Sequence, residues 1–570
     1  MSYRAPISDF RFLFDHVLEF DQVTATPRFA EASPETVEAI LTEAGKLCEG
    51  VLVPLNAAGD THPARLENGV VRSSPGFADG YRAIAEGGWV AIAADPEFGG
   101  MGLPVSVATA VNEMMGSACL ALQLNPLLTQ GQIEALEHHA SNELKALYLP
   151  KLISGEWCGT MNLTEPQAGS DVGALGSRAE PLGDGTYAIT GQKVFISWAD
   201  SDFAENTCHL VLARLPDGEP GTRGISLFMV PKFIPDAEGR PGARNSLSVV
   251  SLEHKLGLHG SPTAVMQYDG ATGWILGEPH KGMAAMFTMM NNARLGVGVQ
   301  GISVAEAACQ KAHAYAMERK QGKTPVKGTQ TIIAHADVRR MLAEMKAQTF
   351  GARAIALACA VAIDLARTTG SSDWQARAAL LTPIAKAFGT DTGIEVASLG
   401  MQVHGGMGFI EETGAAQLLR DVRVTSIYEG TNGIQAMDLV GRKMMDDGEA
   451  AFRLIEEIQQ NALDLRKSHG DLASATWEAS ESLREATEWL LTQEMNNRFA
   501  GAVAYLRAFA LVLMAYYHLR AAHAEGRQGP RARLARIAIK RLLPAHDALI
   551  RQMREGAEDL YALSDEDLAG

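Results

Sequence analysis

Strand-like sequence is confined to one block of this chain, and that confinement excludes most α/β architectures. Between about 157 and 280 the segments are short, β-branched and cut by glycine: GTYAITGQKVFISWA, TCHLVLARL, RGISLFMV and TAVMQYDGATGWIL. Within the block, GDGT at 183–186 reads as a hairpin turn. A βαβ sheet would need strands alternating with helices along the chain. Here the order is helical, β, helical, helical. The expected fold is α+β, mostly α. It has an N-terminal helical domain (1–156), a middle β-domain (157–280), a helical bundle (281–445) and an additional C-terminal helical domain (446–570).

Apolar spacing of three and four marks the helices. SPETVEAILTEAGKLCEGVLVPL (33–55) opens with Ser33 as cap and Pro34 in the first turn. HADVRRMLAEMKAQTFGARAIALACAVAIDLART is long enough for a bundle of antiparallel helices. The run AFALVLMAYY (508–517) is too short to span a bilayer and reads as a buried helix. The first residues lack the apolar core of a signal peptide. These features point to the cytoplasm, without stable membrane insertion. The six cysteines are scattered, with no CxxC, which argues for buried free thiols and against a metal site or a disulfide scaffold. A net charge of -17 argues against a general nucleic-acid binder. One basic amphipathic helix, RARLARIAIKRL (531–542), is expected to pack its apolar face and solvate its arginines.

Chemistry concentrates in a few stretches. MNLTEPQAGSDVGAL (161–175) sets hydroxyls and a glycine in an irregular turn at the start of the β block, where backbone amides can approach a polar ligand. KVFISWA (193–199) follows on a strand, then EHKLGLHGSPTAVMQYDG (253–270), MERKQG (317–322), MQVHGGMGFIEE (401–412) and IYEGTNGIQ (427–435). Taken alone, Glu429 in the last of these would be a turn carboxylate. Taken together and in this order, the six resemble the motif set of the acyl-CoA dehydrogenases, flavoproteins that desaturate acyl thioesters, over roughly residues 35–445.

The resemblance implies FAD as cofactor, held by Met161, Leu163, Thr164, Gly169, Ser170, Phe195, Ser197, Arg319, Gln402, Gly405, Gly406 and Thr431. Phe195 matches an aromatic packed on the isoalloxazine, and Ser197 a hydroxyl near N5. Arg319 matches a phosphate contact. Gln402, Gly405 and Gly406 match a turn around the nucleotide end, often across a subunit interface. The acyl-CoA substrate would meet Ser170, Asn291, Arg294, Tyr428 and Gly430. Glu429 would be the catalytic base. Some branches place the base on the long helix after the β-domain; the matching residue here is Ala293, which cannot serve. The implied partners are electron-transferring flavoprotein or a similar acceptor and a second subunit, in a homodimer or a dimer of dimers.

The chemistry suits a buried carboxylate. A free glutamate, with a pKa of about 4.3, is a weak base for a proton α to a thioester. Burial raises its basicity, and hydrogen bonds to the thioester oxygen stabilise the developing enolate. The resemblance assigns those bonds to the backbone N–H of Glu429 and a ribityl hydroxyl of FAD.

Some positions depart from the family. KQGKTPVKG follows Arg319 where Thr-Phe-Gly is common, Ser197 replaces a threonine, Phe195 a tryptophan, and Gly433 a polar residue. The opening YRAPISDFRFLF, the insert DAEGRPGARNSLSVVSLEHKLGLHGSPTA and the residues beyond 445 look most like the 3-methylmercaptopropionyl-CoA dehydrogenase branch of dimethylsulfoniopropionate degradation. That branch implies 3-(methylthio)propanoyl-CoA as substrate and 3-(methylthio)acryloyl-CoA as product. Alternatives are a general short-, medium- or long-chain acyl-CoA dehydrogenase of fatty acid β-oxidation, an acyl-CoA oxidase, and a DNA-associated alkylation-response flavoprotein.

Overall fold

The computed structural model describes residues 3–570, apart from the side chain of Asn291. The chain divides into two compact units: Glu43–Leu103 with Met114–Ala293, and Met1–Thr42 with Pro104–Glu113 and Arg294–Gly570.

The first of these units carries all the named strands. β1 (Arg65–Glu67) and β2 (Val70–Arg72) form a small antiparallel hairpin inside a region that reads helical. The sequence signal for it is Asn68-Gly69, whose φ values of 51° and 75° both lie in the left-handed region that a two-residue hairpin turn demands. The main sheet comprises β3 (Trp157–Asn162), β4 (Arg178–Pro181), β5 (Tyr187–Ser197), β6 (Asn206–Arg214), β7 (Ile225–Pro231), β10 (Leu247–Leu252) and β11 (Thr263–Leu276). β8 (Phe233–Pro235) and β9 (Pro241–Arg244) pair separately.

The main path runs β10-β11-β5-β4-β6-β3, and β7 pairs with both β6 and β11. That double pairing closes the sheet on itself and leaves few open edges. Ile189, Val211, Phe228, Met266 and Tyr268 fill its interior. The GDGT turn joins β4 to β5, with Gly183 and Gly185 at φ 85° and 90° and the Leu182 N–H donating to Thr186 O at 3.0 Å.

The second unit is helical. Its longest members include Ala336–Thr369, Ser372–His404, Glu449–Leu491 and Met495–Glu525, with the C-terminal part of Gly282–Glu318. Gly282–Glu318 and Ser372–His404 approach backbone to backbone. A Cβ on Gly298 would stand 2.6 Å from Ala385 O, and one on Gly301 would stand 2.3 Å from Gly389 O. Only glycine permits that separation. Near this crossing Arg353, with no exposed surface, donates to Glu113 at 2.6 and 2.8 Å and to Glu306 at 2.7 Å.

Among the described residues, three helices are long and apolar enough to cross a membrane: Val105–His139, Ala336–Thr369 and Met495–Glu525. Their apolar windows are 94%, 89% and 72% buried inside the protein, which accounts for their composition. Ala508–Tyr517 is buried throughout, as its sequence predicts. All six cysteines are buried and free. The basic segment forms Pro530–Ile537 and a π turn at Ala538–Leu542, with Ala532, Ala535, Ala538 and Ile539 buried. Arg531 bonds Asp9 and Glu525, while Arg536 and Lys540 share Asp471.

Candidate active site

In the strand-bearing unit, the TEPQAGSD turn and the KVFISWA strand are laced together. The Val194 N–H donates to Thr164 O at 2.9 Å. Lys193, fully buried, sends its ammonium to Leu163 O at 3.1 Å and to Glu165 at 2.8 Å. Glu165 also accepts from Gly176 N at 2.7 Å and from Ser177 Oγ at 2.6 Å. The glutamate of this motif is therefore tied up in shaping the turn. Neither Lys193 nor Glu165 stands out as a site residue in sequence, because nothing there tells the two ends of the pair apart from surface charges.

This lacing brings Met161, Leu163 and Thr164 beside Phe195 and Ser197. All but Phe195 are half-buried, and Gly169 and Ser170 lie exposed in the turn. Phe195 is 63% exposed, with φ at 62°. A non-glycine residue at positive φ costs free energy. Here the strain turns a large aromatic face outward from a strand whose neighbours Ile196 and Trp198 are buried. Trp198 anchors that end, donating from Nε1 to Ala121 O at 3.1 Å. A Cβ on Gly169 would meet nothing within 4 Å. The result is an aromatic platform beside an open turn of small and hydroxyl residues, a fit for a planar ring with a polar rim.

In the helical unit, Arg319 and the glycine turn come together. Tyr315, one turn before Arg319, stacks on His404 at 4.5 Å and 27°. Gly405 ends the Ser372–His404 helix at φ 60°, its N–H donating to Gln402 O. Gly405, Gly406 and the Gln402 and Arg319 side chains are exposed, and a Cβ on either glycine would meet nothing within 4 Å. This corner offers a cation and bare backbone, the chemistry that suits a phosphate-bearing ligand. Met407, Phe409 and Ile410 are exposed next to it.

Glu429 sits in a tight left-handed turn, with φ at 55° followed by Gly430 at 83°. Three helices fix that turn. Tyr428 donates its hydroxyl to Gln300 Oε1 on Gly282–Glu318. Lys386 on Ser372–His404 donates to Gly430 O and to Asn432 Oδ1, both at 2.9 Å. Gln435 on Asn432–Val440 donates to Glu429 O at 3.2 Å and to Gly430 O at 3.3 Å. A side chain at Gly430 would strike Gln435 Nε2 at 2.7 Å. Thr431 caps Asn432–Val440, its hydroxyl accepting from Ile434 N at 3.2 Å.

Glu429 is half-buried, with protein crowding its carboxyl. Desolvation pushes its pKa up to about 7, with Arg294 and Lys386 pulling the other way. Burial lowers Arg294, which is 3.7 Å from Asp438. Ala293, the rival position, is a buried apolar residue. The side chain of Asn291, expected at the CoA end, lies outside the described residues. Lys386 and Asn432 are site residues that sequence reasoning passes over; Asn432 at least stands inside the IYEGTNGIQ motif. The set joins a carboxylate poised near neutrality to two cations and a rigid backbone, which is equipment for taking a proton from a weak carbon acid.

Comparison with known proteins agrees over most of the chain. Family models for the acyl-CoA dehydrogenase N-terminal, middle and C-terminal domains match residues 34–156, 160–271 and 280–445. One described as acetyl-CoA dehydrogenase C-terminal like matches 453–564. The 3-methylmercaptopropionyl-CoA dehydrogenase of Ruegeria pomeroyi is 46% identical over 520 residues, covering 89% of this chain and 88% of its own. A butyryl-CoA dehydrogenase of Syntrophomonas wolfei is 34% identical, covering 80% of this chain and 78% of its own. Among solved structures, ACDH-11 of Caenorhabditis elegans in complex with C11-CoA superposes with a TM-score of 0.81 at 22% identity, covering 95% of this chain and 92% of its own. An acyl-CoA dehydrogenase of Bacillus anthracis complexed with FAD gives 0.73 at 20% identity, covering 98% and 92%. The two structures establish the fold, α+β and mostly α. The family models and the sequence relatives establish more: the chain belongs to the acyl-CoA dehydrogenase family, FAD-dependent oxidoreductases acting on the CH–CH bond of acyl-CoA thioesters.

Proposed function

We propose that Glu429 is the base of this dehydrogenase and that its substrate is 3-(methylthio)propanoyl-CoA. The carboxylate takes the pro-leaving proton from Cα, and its own backbone N–H steadies the negative charge that develops on the thioester oxygen. Bound FAD supplies a two-electron acceptor for the hydride leaving Cβ. One proton and one hydride depart, and 3-(methylthio)acryloyl-CoA remains. Phe195, Ser197, Thr164 and the 161–170 turn would hold the flavin ring. Arg319, Gln402, Gly405 and Gly406 would hold the nucleotide end, and the family resemblance assigns Arg294, Tyr428, Gly430, Ser170 and Asn291 to the substrate. The observation that carries the base assignment is the turn clamped from three helices that holds the Glu429 carboxyl in crowded surroundings, where burial raises its pKa to about 7.

The substrate assignment rests on the 46% identity to the Ruegeria pomeroyi enzyme. A second reading, general oxidation of short linear acyl-CoAs, is favoured by the 34% identity to a butyryl-CoA dehydrogenase and to a broad-specificity linear acyl-CoA dehydrogenase of Mycobacterium tuberculosis. Rate constants for anaerobic flavin bleaching with methylthiopropionyl-, butyryl- and octanoyl-CoA separate them. The methylthio thioester should have the highest kcat/KM; a clear preference for butyryl-CoA overturns the assignment.

The same reading divides the chain at 156, 280 and 445, takes electron-transferring flavoprotein as acceptor and pairs two subunits through the exposed glycine turn. It places the enzyme in the cytoplasm, in keeping with its six free thiols. The DNA-associated reading is weakened, since Arg531, Arg536 and Lys540 are engaged by carboxylates of the chain itself.

A further inference from the structure

The lysine beneath the Glu429 turn has no part in the family motifs, yet it is the most constrained cation near the base. Lys386 has no exposed surface. Its ammonium makes two hydrogen bonds of 2.9 Å, to Gly430 O and Asn432 Oδ1. The first acceptor is the carbonyl one residue beyond Glu429. The second belongs to a side chain that is itself locked, Asn432 Nδ2 donating to Asp391 at 2.7 Å and to Thr390 at 3.0 Å. The backbone of Lys386 is held in turn where Ser372–His404 meets Gly282–Glu318, since a Cβ on Gly298 would stand 3.0 Å from Lys386 Cα.

From this geometry we propose that Lys386 is a positioning residue for proton abstraction. Clamped between Gly430 O and Asn432 Oδ1, it fixes the left-handed turn that aims Glu429, and it sets a positive charge beside that carboxylate. The inference rests on the reading of Glu429 as base. Two consecutive left-handed residues are a conformation that the chain does not hold unaided. A strong donor on the second carbonyl holds it at the point where a small misplacement is most costly to rate.

The charges around the pair are few. Lys386 faces Glu429, Asp391 and Arg294. Glu429 faces Arg294 and Lys386, and Arg294 is also met by Asp438 and Arg442. Asp391 is itself flanked by Arg507 and Glu395. Burial brings Lys386 down to about 8, above the Glu429 carboxyl at about 7, so below neutrality the lysine carries its charge while Glu429 takes up its proton. Removing it deletes one of the two cations favouring the carboxylate, so the acid limb of activity moves up in pH.

The test compares wild-type holoenzyme with Lys386→Met, Lys386→Gln and Glu429→Gln, reading kcat, KM, FAD content and the pH profile of kcat/KM. Lys386→Met should lower kcat on the order of 100-fold with a smaller change in KM, and should raise the acid limb by roughly one unit. Lys386→Gln, which removes the charge but keeps a donor for Gly430 O, should raise the limb equally and lose less kcat. If the methionine variant does not fold, the glutamine variant decides. A purely structural lysine would reduce melting temperature and leave the acid limb where it was; that result in either folded variant overturns the proposal. Undiminished activity in Glu429→Gln would remove the base assignment itself, and the proposal with it, and is read in a separate protein.

Discussion

Lys193 and Glu165 form an ion pair 2.8 Å long, with exposures of 0% and 4%. Taking two charges out of water is costly, and each is tolerable only because of the other. Lys193→Met should therefore destabilise the protein by about 3–5 kcal/mol and weaken FAD retention, because the 161–170 turn loses its tie to β5. Lys193→Met with Glu165→Leu should recover much of the stability. Denaturant titration and flavin content on gel filtration check both statements.

The same pair has a pH signature. Burial alone would raise the Glu165 pKa; the Lys193 charge and the hydrogen bonds from Lys193, Ser177 and Gly176 outweigh it and bring the value to about 2. A carboxyl lowered on folding stabilises above its unfolded pKa. That contribution should be whole above the ordinary glutamate value of 4.5 and disappear as the pH falls towards 2. In Lys193→Met/Glu165→Leu the slope of stability against pH in this window should be shallower.

Glu429 has the opposite sign. Its pKa rises from 4.5 to about 7, so the folded state binds a proton more tightly than the unfolded chain does. Stability from this group is present below 4.5 and is lost as the pH climbs through 7. Glu429→Gln should melt higher than wild type at pH 8, by an amount that shrinks towards pH 4. In the wild type, kcat/KM should fall about tenfold per unit below an acid limb near 7. A limb near the ordinary carboxylate value would contradict the burial argument.

The crossing of Gly282–Glu318 with Ser372–His404 should tolerate no side chain. Gly301→Ala would force a Cβ to within 2.3 Å of Gly389 O. The expected cost is about 1–3 kcal/mol, together with a fall in kcat, because both Arg294 and Lys386 ride on these helices. Thermal melts and steady-state rates measure the two effects, which should be larger than those of an alanine at the open Gly169.

Much of this architecture was legible from the periodicity of the sequence. Confinement of strands to one block predicts an α+β chain, and strand composition with GDGT places β4 and β5. The β1–β2 hairpin escapes notice because three-residue strands are too short for alternation to register, although Asn68-Gly69 marks their turn. Glu429, Phe195 and the glycines stand out only as members of an ordered motif set. Lys386 and Arg353 lie outside that set and Lys193 sits in it without a role; their partners lie 44, 240 and 28 residues away. Burial turns each of them from a common surface cation into an organising one, and burial is a property of the fold.

The central claim is that Glu429 removes the α-proton, and single-turnover kinetics test it directly. Wild type and Glu429→Gln, both loaded with FAD, are mixed anaerobically with 3-(methylthio)propanoyl-CoA while flavin absorbance is followed. Wild type should bleach within the mixing experiment, and the variant should bind substrate but bleach roughly 100- to 10,000-fold more slowly. Bleaching of the variant at the wild-type rate would contradict the account.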